Sequence, residues 1–327
     1  MSKRLLIQRA GILLILLVTC SPVICQSTKN NPSQNKPSSQ KAPQKASDEL
    51  KIDPAIFELK ELLYFDTKLD VWVNKIPETF RLRTESLREN PELKELDSFN
   101  ENYGQIAEAV LLIQKGNPKQ AEKALESNTD EKLKQELDYW MALAYAKQQA
   151  GDLVGARNSI RQIFTLPVKE TAIHLLAWSM LRQLGEKPDE RIANEVLGVI
   201  VEVGMGNTVV VVAGFADGMP RLWVLAGGGG PIGSVESFPN EITMAAKKMV
   251  NAAQPLVNTF PLEKDRQLPK QGRIRFALLT AGGTHVREES IDQLDNRKSP
   301  ALYALNLAAQ ELFTSLMKYN LEQSKKP

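Results

Sequence analysis

The sequence predicts an α + (α+β) fold: a helical region, then an α+β domain of order β-β-β-β-α-β-β-α with a mostly antiparallel sheet. Three observations lead there. From Asp48 to about Asn194, apolar residues recur at helical spacing, as Leu59, Leu62 and Leu63 do in IFELKELLYF. After Asn194 the chain switches to short β-rich runs, VLGVIVEVG, TVVVVAGFA, RLWVLA and PIGSVES, divided by GMGN, ADGMP and GGGG. Two helical stretches, PNEITMAAKKMVNAAQPLVNTF and SPALYALNLAAQELFTSLMKYN, then frame a strand pair in GRIRFALLTAGGTHVREES.

Residues 1–25 are set apart from the folded body. MSKRLLIQR carries three positive charges, AGILLILLV is a short apolar run, and TCSPVICQS follows with small and polar residues. That order is the signature of a secretory signal, and the run is shorter than the roughly 20 residues of a membrane span. Leu17, Val18 and Thr19 before Cys20 resemble a bacterial lipobox, with Thr19 where a smaller residue is usual. Three routes stay open: lipid attachment at Cys20, cleavage close to Cys25, or an uncleaved anchor. Each implies an exported protein, periplasmic, envelope-associated or secreted, that meets a membrane only through this segment. Both cysteines of the chain lie here, so the folded part offers no disulfide and no thiolate ligand. Residues 26–47 contain no Leu, Ile, Val or aromatic residue and read as a disordered linker.

The helical region spans 48–195. ENYGQIAEAVLLIQKGNPKQAEKALES and LDYWMALAYAKQQAGDLVGARNSIRQIF superimpose with Gly116 on Gly151, Ala121 on Ala156 and Leu125 on Ile160, 35 residues apart each time. Trp140, Leu143, Ala144, Gly151, Ala156 and Ile160 supply large, small and turn residues, and Pro167 closes the second copy. Small residues at 144 and 156 let paired helices approach, and glycine at 151 ends the first of them. The pattern resembles tetratricopeptide repeats, whose period is about 34 residues. The resemblance covers 102–167 well and 50–195 loosely; a plain helical bundle is the alternative. The first copy has Gln105 in place of the large aromatic, and KETAIHLLAWSMLRQLGE begins a degenerate third unit. The resemblance implies that Asp138, Met141, Tyr145 and Gln148 face a peptide partner, unless a neighbouring helix covers them. The equivalent Tyr103, Ile106, Val110 and Ile113 are apolar enough to be buried by the preceding helix.

The α+β domain spans 196–320, with a disordered tail expected at 321–327. Ser299 caps the last helix and Pro300 opens it. VLGVIVEVG, VAGFADGMPRLWVLAGGG and RIRFALLTAGG are similar to an uncharacterised bacterial family, over about 196–318. Ala281 stands where that family has a proline. The resemblance implies an architecture and no activity.

Gly227 to Gly233 contain a formal G-x-G-x-x-G. A dinucleotide fingerprint needs a helix directly after the glycines, and none is expected before Pro239. Pro231 also removes a backbone N–H from any phosphate cradle. Gly227 to Gly230 therefore read as a hairpin turn, with PIGSVES pairing against RLWVLA.

Chemistry is sparse. The chain has 327 residues, 43% of them hydrophobic and 24% charged, with two histidines. His174 sits on an apolar helix and reads as packed. His285 precedes Glu288 and Glu289 and reads as part of a solvated edge, short of the three or four ligands of a tight metal site. Asp217-Gly218 reads as a turn, and Glu202, interrupting an apolar strand, as solvent-facing. No catalytic, cofactor-binding or metal-binding set is expected. Residues 1–47 hold seven bases and no acid; without them 34 bases face 39 acids, a net of −5. Such a body has no excess charge for nucleic acid. The expected function is protein or peptide binding without enzymatic activity. The alternative is a ligand-sensing or enzymatic α+β domain with accessory repeats.

Overall fold

A computed structural model describes residues 67–89, 103–167, 170–205, 208–224, 228–229, 238–263, 267–294 and 298–324. The leader with Cys20, the 26–47 linker, IFELKELLYF and PIGSVES lie outside these residues. The described chain is mixed α+β, with a helical N-terminal part and an antiparallel sheet in the C-terminal part.

Helix α1 (Leu69–Glu89) comes first and buries Leu69, Val73 and Ile76 along one face. Three helix pairs follow: α2 (Tyr103–Gln114) with α3 (Pro118–Glu126), α4 (Leu137–Gln149) with α5 (Leu153–Gln162), and α6 (Thr171–Gln183) with α7 (Glu190–Ala193). The first helix of each pair ends in the same way. Gly116, Gly151 and Gly185 take φ of +80°, +90° and +82°. Each glycine N–H bonds three residues back, to the Ile113, Gln148 and Arg182 carbonyls. The next residue bonds five back, to the Leu112, Lys147 and Leu181 carbonyls. This left-handed closure satisfies orphan carbonyls and favours a residue without Cβ. The following helices are started locally: Pro118 stands at the first position of α3, and Asp152 Oδ1 accepts from Gly155 N at 2.8 Å in α5. Ala109 and Ala144, and Ala121 and Ala156, are all at most 1% exposed at matching points, so close helix approach is built into both copies. The third pair is truncated, its second helix reduced to four residues before the chain enters the sheet.

Strands β1 (Val196–Met205), β2 (Thr208–Phe215), β3 (Pro220–Val224), β4 (Gly228–Gly229), β5 (Arg273–Thr280) and β6 (Gly283–Ser290) form one antiparallel sheet ordered β4-β3-β2-β1-β5-β6. Its two central strands, β2 and β1, are rich in valine and buried along most of their length. Helices α8 (Asn240–Ala253) and α9 (Pro300–Gln323) lie against each other and against the β1–β3 part of the sheet. Ile242, Ala245, Met249 and Ala253 of α8 point into the core with Leu305, Leu312 and Leu316 of α9.

Two expectations change here. The ladder against β3 begins within the glycine run: Gly229 pairs with Trp223 and Gly228 with Val224. These two glycines are strand residues and not turn residues. The last helix continues to Gln323, so 321–323 are helical; Leu316 and the aromatic pair of Tyr319 with Phe238 anchor the preceding turn.

A Cβ added at Gly151 meets nothing within 4 Å, whereas one at Gly218 meets Thr243 Cγ2 at 2.3 Å. Gly151→Ala should therefore cost only the left-handed penalty, about 1–2 kcal/mol. Gly218→Ala, with φ of +95° and a clash, should cost more; urea unfolding of both variants measures the order.

Candidate functional site

Of the residues read as partner-facing, Asp138 is 6% exposed and Met141 fully buried, while Tyr145 and Gln148 are half-buried. Asp138 and Met141 thus do not face solvent. Helix α1 packs on both α2 and α4, and its Trp72 reaches Asp138. Trp72 Nε1 donates to Asp138 Oδ1 at 2.9 Å, and the Tyr103 hydroxyl donates to Oδ2. The carboxylate is thus held by an indole and a phenol from two helices. Tyr103, Ile106, Val110 and Ile113 of α2 are buried, and Phe80 of α1 stacks on Tyr103 at 6.1 Å. Among the repeat-packing residues, Leu143, Ala144, Ala156 and Ile160 are buried and Gly151 forms the exposed turn. Trp140 is half-buried, donating Nε1 to the Lys134 carbonyl at 2.8 Å.

Helix α6 joins the two parts. Its inner side enters the helical core through Ile173, Leu176, Ala177, Met180 and Leu181, while Leu175 enters the sheet core. At its start, Thr171 N donates to Asp217 Oδ2 at 2.9 Å, and Asp217 N donates to Thr171 Oγ1 at 3.2 Å. At its end, Arg182 Nη1 donates to the Ala281 carbonyl. Asp217 and Ala281 lie in the β2–β3 and β5–β6 turns, at one end of the sheet. Asp217 is a turn residue as read, with Oδ1 accepting from Met219 N at 2.9 Å. Its second oxygen serves as a helix cap across 46 residues, a role invisible in sequence because α6 carries no cap of its own at Glu170.

The titratable groups beside this joint are packed. His174 meets Phe164 edge-on at 5.4 Å; burial lowers its pKa, partly opposed by Asp217. Arg221 is 9% exposed, and burial pulls its guanidinium below the usual range against Glu170 and Asp217.

Two further readings are corrected. Glu202 is fully buried, not solvent-facing. The register sets it opposite Arg275, with Nε to Oε2 at 3.9 Å, and Arg275 Nη1 donates to the Gln267 carbonyl at 2.6 Å. Alternation gives a strand two faces but cannot say that both are covered, and here the segment before β5 folds back over Arg275. His285 is 8% exposed and belongs to no solvated edge. Its Nδ1 donates to the Phe260 carbonyl at 3.1 Å, and Leu262 bridges to it. Glu288 pairs with Arg273 at 2.8 Å and Glu289 with Arg287 at 2.6 Å, so neither acid converges on the imidazole.

Among the described residues, no group of three His, Cys, Asp or Glu could hold a metal ion, and no helix is long and apolar enough to cross a membrane. No family model, curated protein or solved structure matches the chain. The geometry describes inner helix faces covered by α1, and two cores locked through α6.

Removing one partner of the Glu202–Arg275 pair strands a buried charge. Arg275→Met should cost about 3–5 kcal/mol, and adding Glu202→Leu should recover most of it. A urea double-mutant cycle measures the coupling.

His174 also sets a pH dependence. Its folded pKa lies below the ordinary value of 6.5. The neutral ring's stabilisation is therefore present above that value and is lost as pH falls through it towards the lower folded pKa. Urea midpoints from about pH 7 to about pH 5 should drop more steeply for the parent than for His174→Gln.

Proposed function

We propose that the chain is an exported, non-enzymatic interaction protein built on a tetratricopeptide-like module joined to an α+β domain of order β-β-β-β-α-β-β-α. The observation that carries this reading is one helix-ending device repeated at Gly116, Gly151 and Gly185, with buried alanines at matching points of the first two pairs. Repetition of that kind builds an extended surface from a short unit, the physical basis of repeat-protein binding faces. The α+β part, read as a member of the uncharacterised bacterial family, is the rigid support at one end. Export through residues 1–25, with lipid at Cys20 or cleavage near Cys25, belongs to the same proposal. The partner is a protein or peptide. Tyr145 and Gln148, the two of the four expected contact residues of α4 that remain half-exposed, are its contacts.

A second reading, a small-ligand sensor, draws on the buried charges Glu202, Arg275 and Arg221 in the sheet. One pair of measurements separates the two. A photoreactive side chain at Gln148 should give one discrete protein adduct in cells, and the same group at exposed Lys119 none. A thermal-shift screen with metals, nucleotides and metabolites should stay flat. A ligand at a hundredfold excess over Kd would stabilise by about 2.7 kcal/mol and would overturn the interaction reading.

A further inference from the structure

The occupant of the inner helix faces is α1, and it is held as a ligand is held. Its aliphatic anchors, Leu69, Val73 and Ile76, lie in its first half with Trp72 and Phe80 beside them. Polar latches flank these anchors. Trp72 reaches Asp138, Gln114 Nε2 donates to Asn74 Oδ1 at 3.1 Å, and Leu69 N donates to Gln183 Oε1 at 3.3 Å. Beyond Phe80, every side chain described in α1 is exposed or half-exposed, and Arg81 pairs along the helix with Glu78 and Glu85. Pro77 lacks the N–H that would close onto Val73, which weakens the helix beside its deepest anchor.

The connections differ as well. Three residues link α2 to α3 and α4 to α5. Residues 90–102 separate α1 from α2, a longer stretch than the roughly two to eight residues usual between bundle helices.

We infer that the inner faces of α2 and α4 form a helix-receiving groove that α1 fills in cis, and that an amphipathic helix of a partner protein takes its place. This rests on the interaction-protein reading and names the partner's chemistry. The helix carries aliphatic anchors at the spacing of Leu69, Val73 and Ile76, and an indole donor where Trp72 meets the Asp138 carboxylate. Such helix-in-groove recognition uses one apolar stripe and a few oriented polar contacts.

The test uses the full chain and a fluorescent peptide of residues 67–89 as probe. Val73→Ala with Ile76→Ala loosens α1 without touching the groove. If α1 fills the groove nine-tenths of the time in the parent, the variant should bind the peptide about tenfold tighter. Adding Asp138→Asn should then weaken binding several-fold, and the complex should contain one chain and one peptide. A helical variant that binds no better than the parent overturns the inference. So does a peptide-independent dimer in which α1 has been exchanged between copies. Should the variant lose its helicity, hydrogen exchange of the parent decides. Amides of α1 exchanging faster than those of α2 and α4, as a separate unit, support the inference; equal protection overturns it. Failure here, with a discrete adduct still formed at Gln148, would make α1 a fixed part of the core and leave the interaction reading standing.

Discussion

The arrangement depends on one helix serving two cores. Five apolar side chains of α6, Ile173, Leu176, Ala177, Met180 and Leu181, enter the helical core, while Leu175 enters the sheet core. Its first N–H is capped by Asp217 from the β2–β3 turn, and Arg182 in its last turn holds the carbonyl of Ala281. Helix ends carry unsatisfied groups that must find partners. Here the sheet supplies a partner at the start and receives one from the last turn, so the helix cannot rotate without losing both. The bonds from Gly282 N to the Ala193 carbonyl, from Val196 N to Gln254 Oε1 and from Gln254 Nε2 to the Asn194 carbonyl close the same seam.

The buried polar groups follow a common rule. Each sits where packing leaves a group that must be satisfied and a neighbour can do so. Asp138 takes an indole and a phenol, His285 gives its N–H to the Phe260 carbonyl, and Glu202 faces Arg275 across the ladder. Burying such groups is costly unless they are paired, so each pair narrows the arrangements the chain can adopt. Among the described residues, none of these groups belongs to a set of three that could hold a metal ion.

The helical part combines regularity with an exception. Three glycines repeat one closure, so the pairs are built alike up to the point where α7 stops after four residues. The exception is α1, which lies over the faces that two of the pairs present. Its contact is a mixture of aliphatic burial and side-chain hydrogen bonds, closer to recognition than to the alanine-lined packing within the pairs.

Much of this was legible in the chain. Periodicity located the helices and the switch to strands near Val196, because amphipathic spacing is a local property. The 35-residue correspondence of Gly116 with Gly151 marked the turns, because a left-handed residue needs glycine wherever it sits. What lies over a surface is not local. Asp138, Met141, Glu202 and His285 looked available, and only the fold could show α1, the Gln267 segment and Phe260 closing over or against them. The second oxygen of Asp217 is the sharpest case. Its neighbours declare a turn, while its work as a cap is fixed by Thr171, which only folding brings within hydrogen-bond distance.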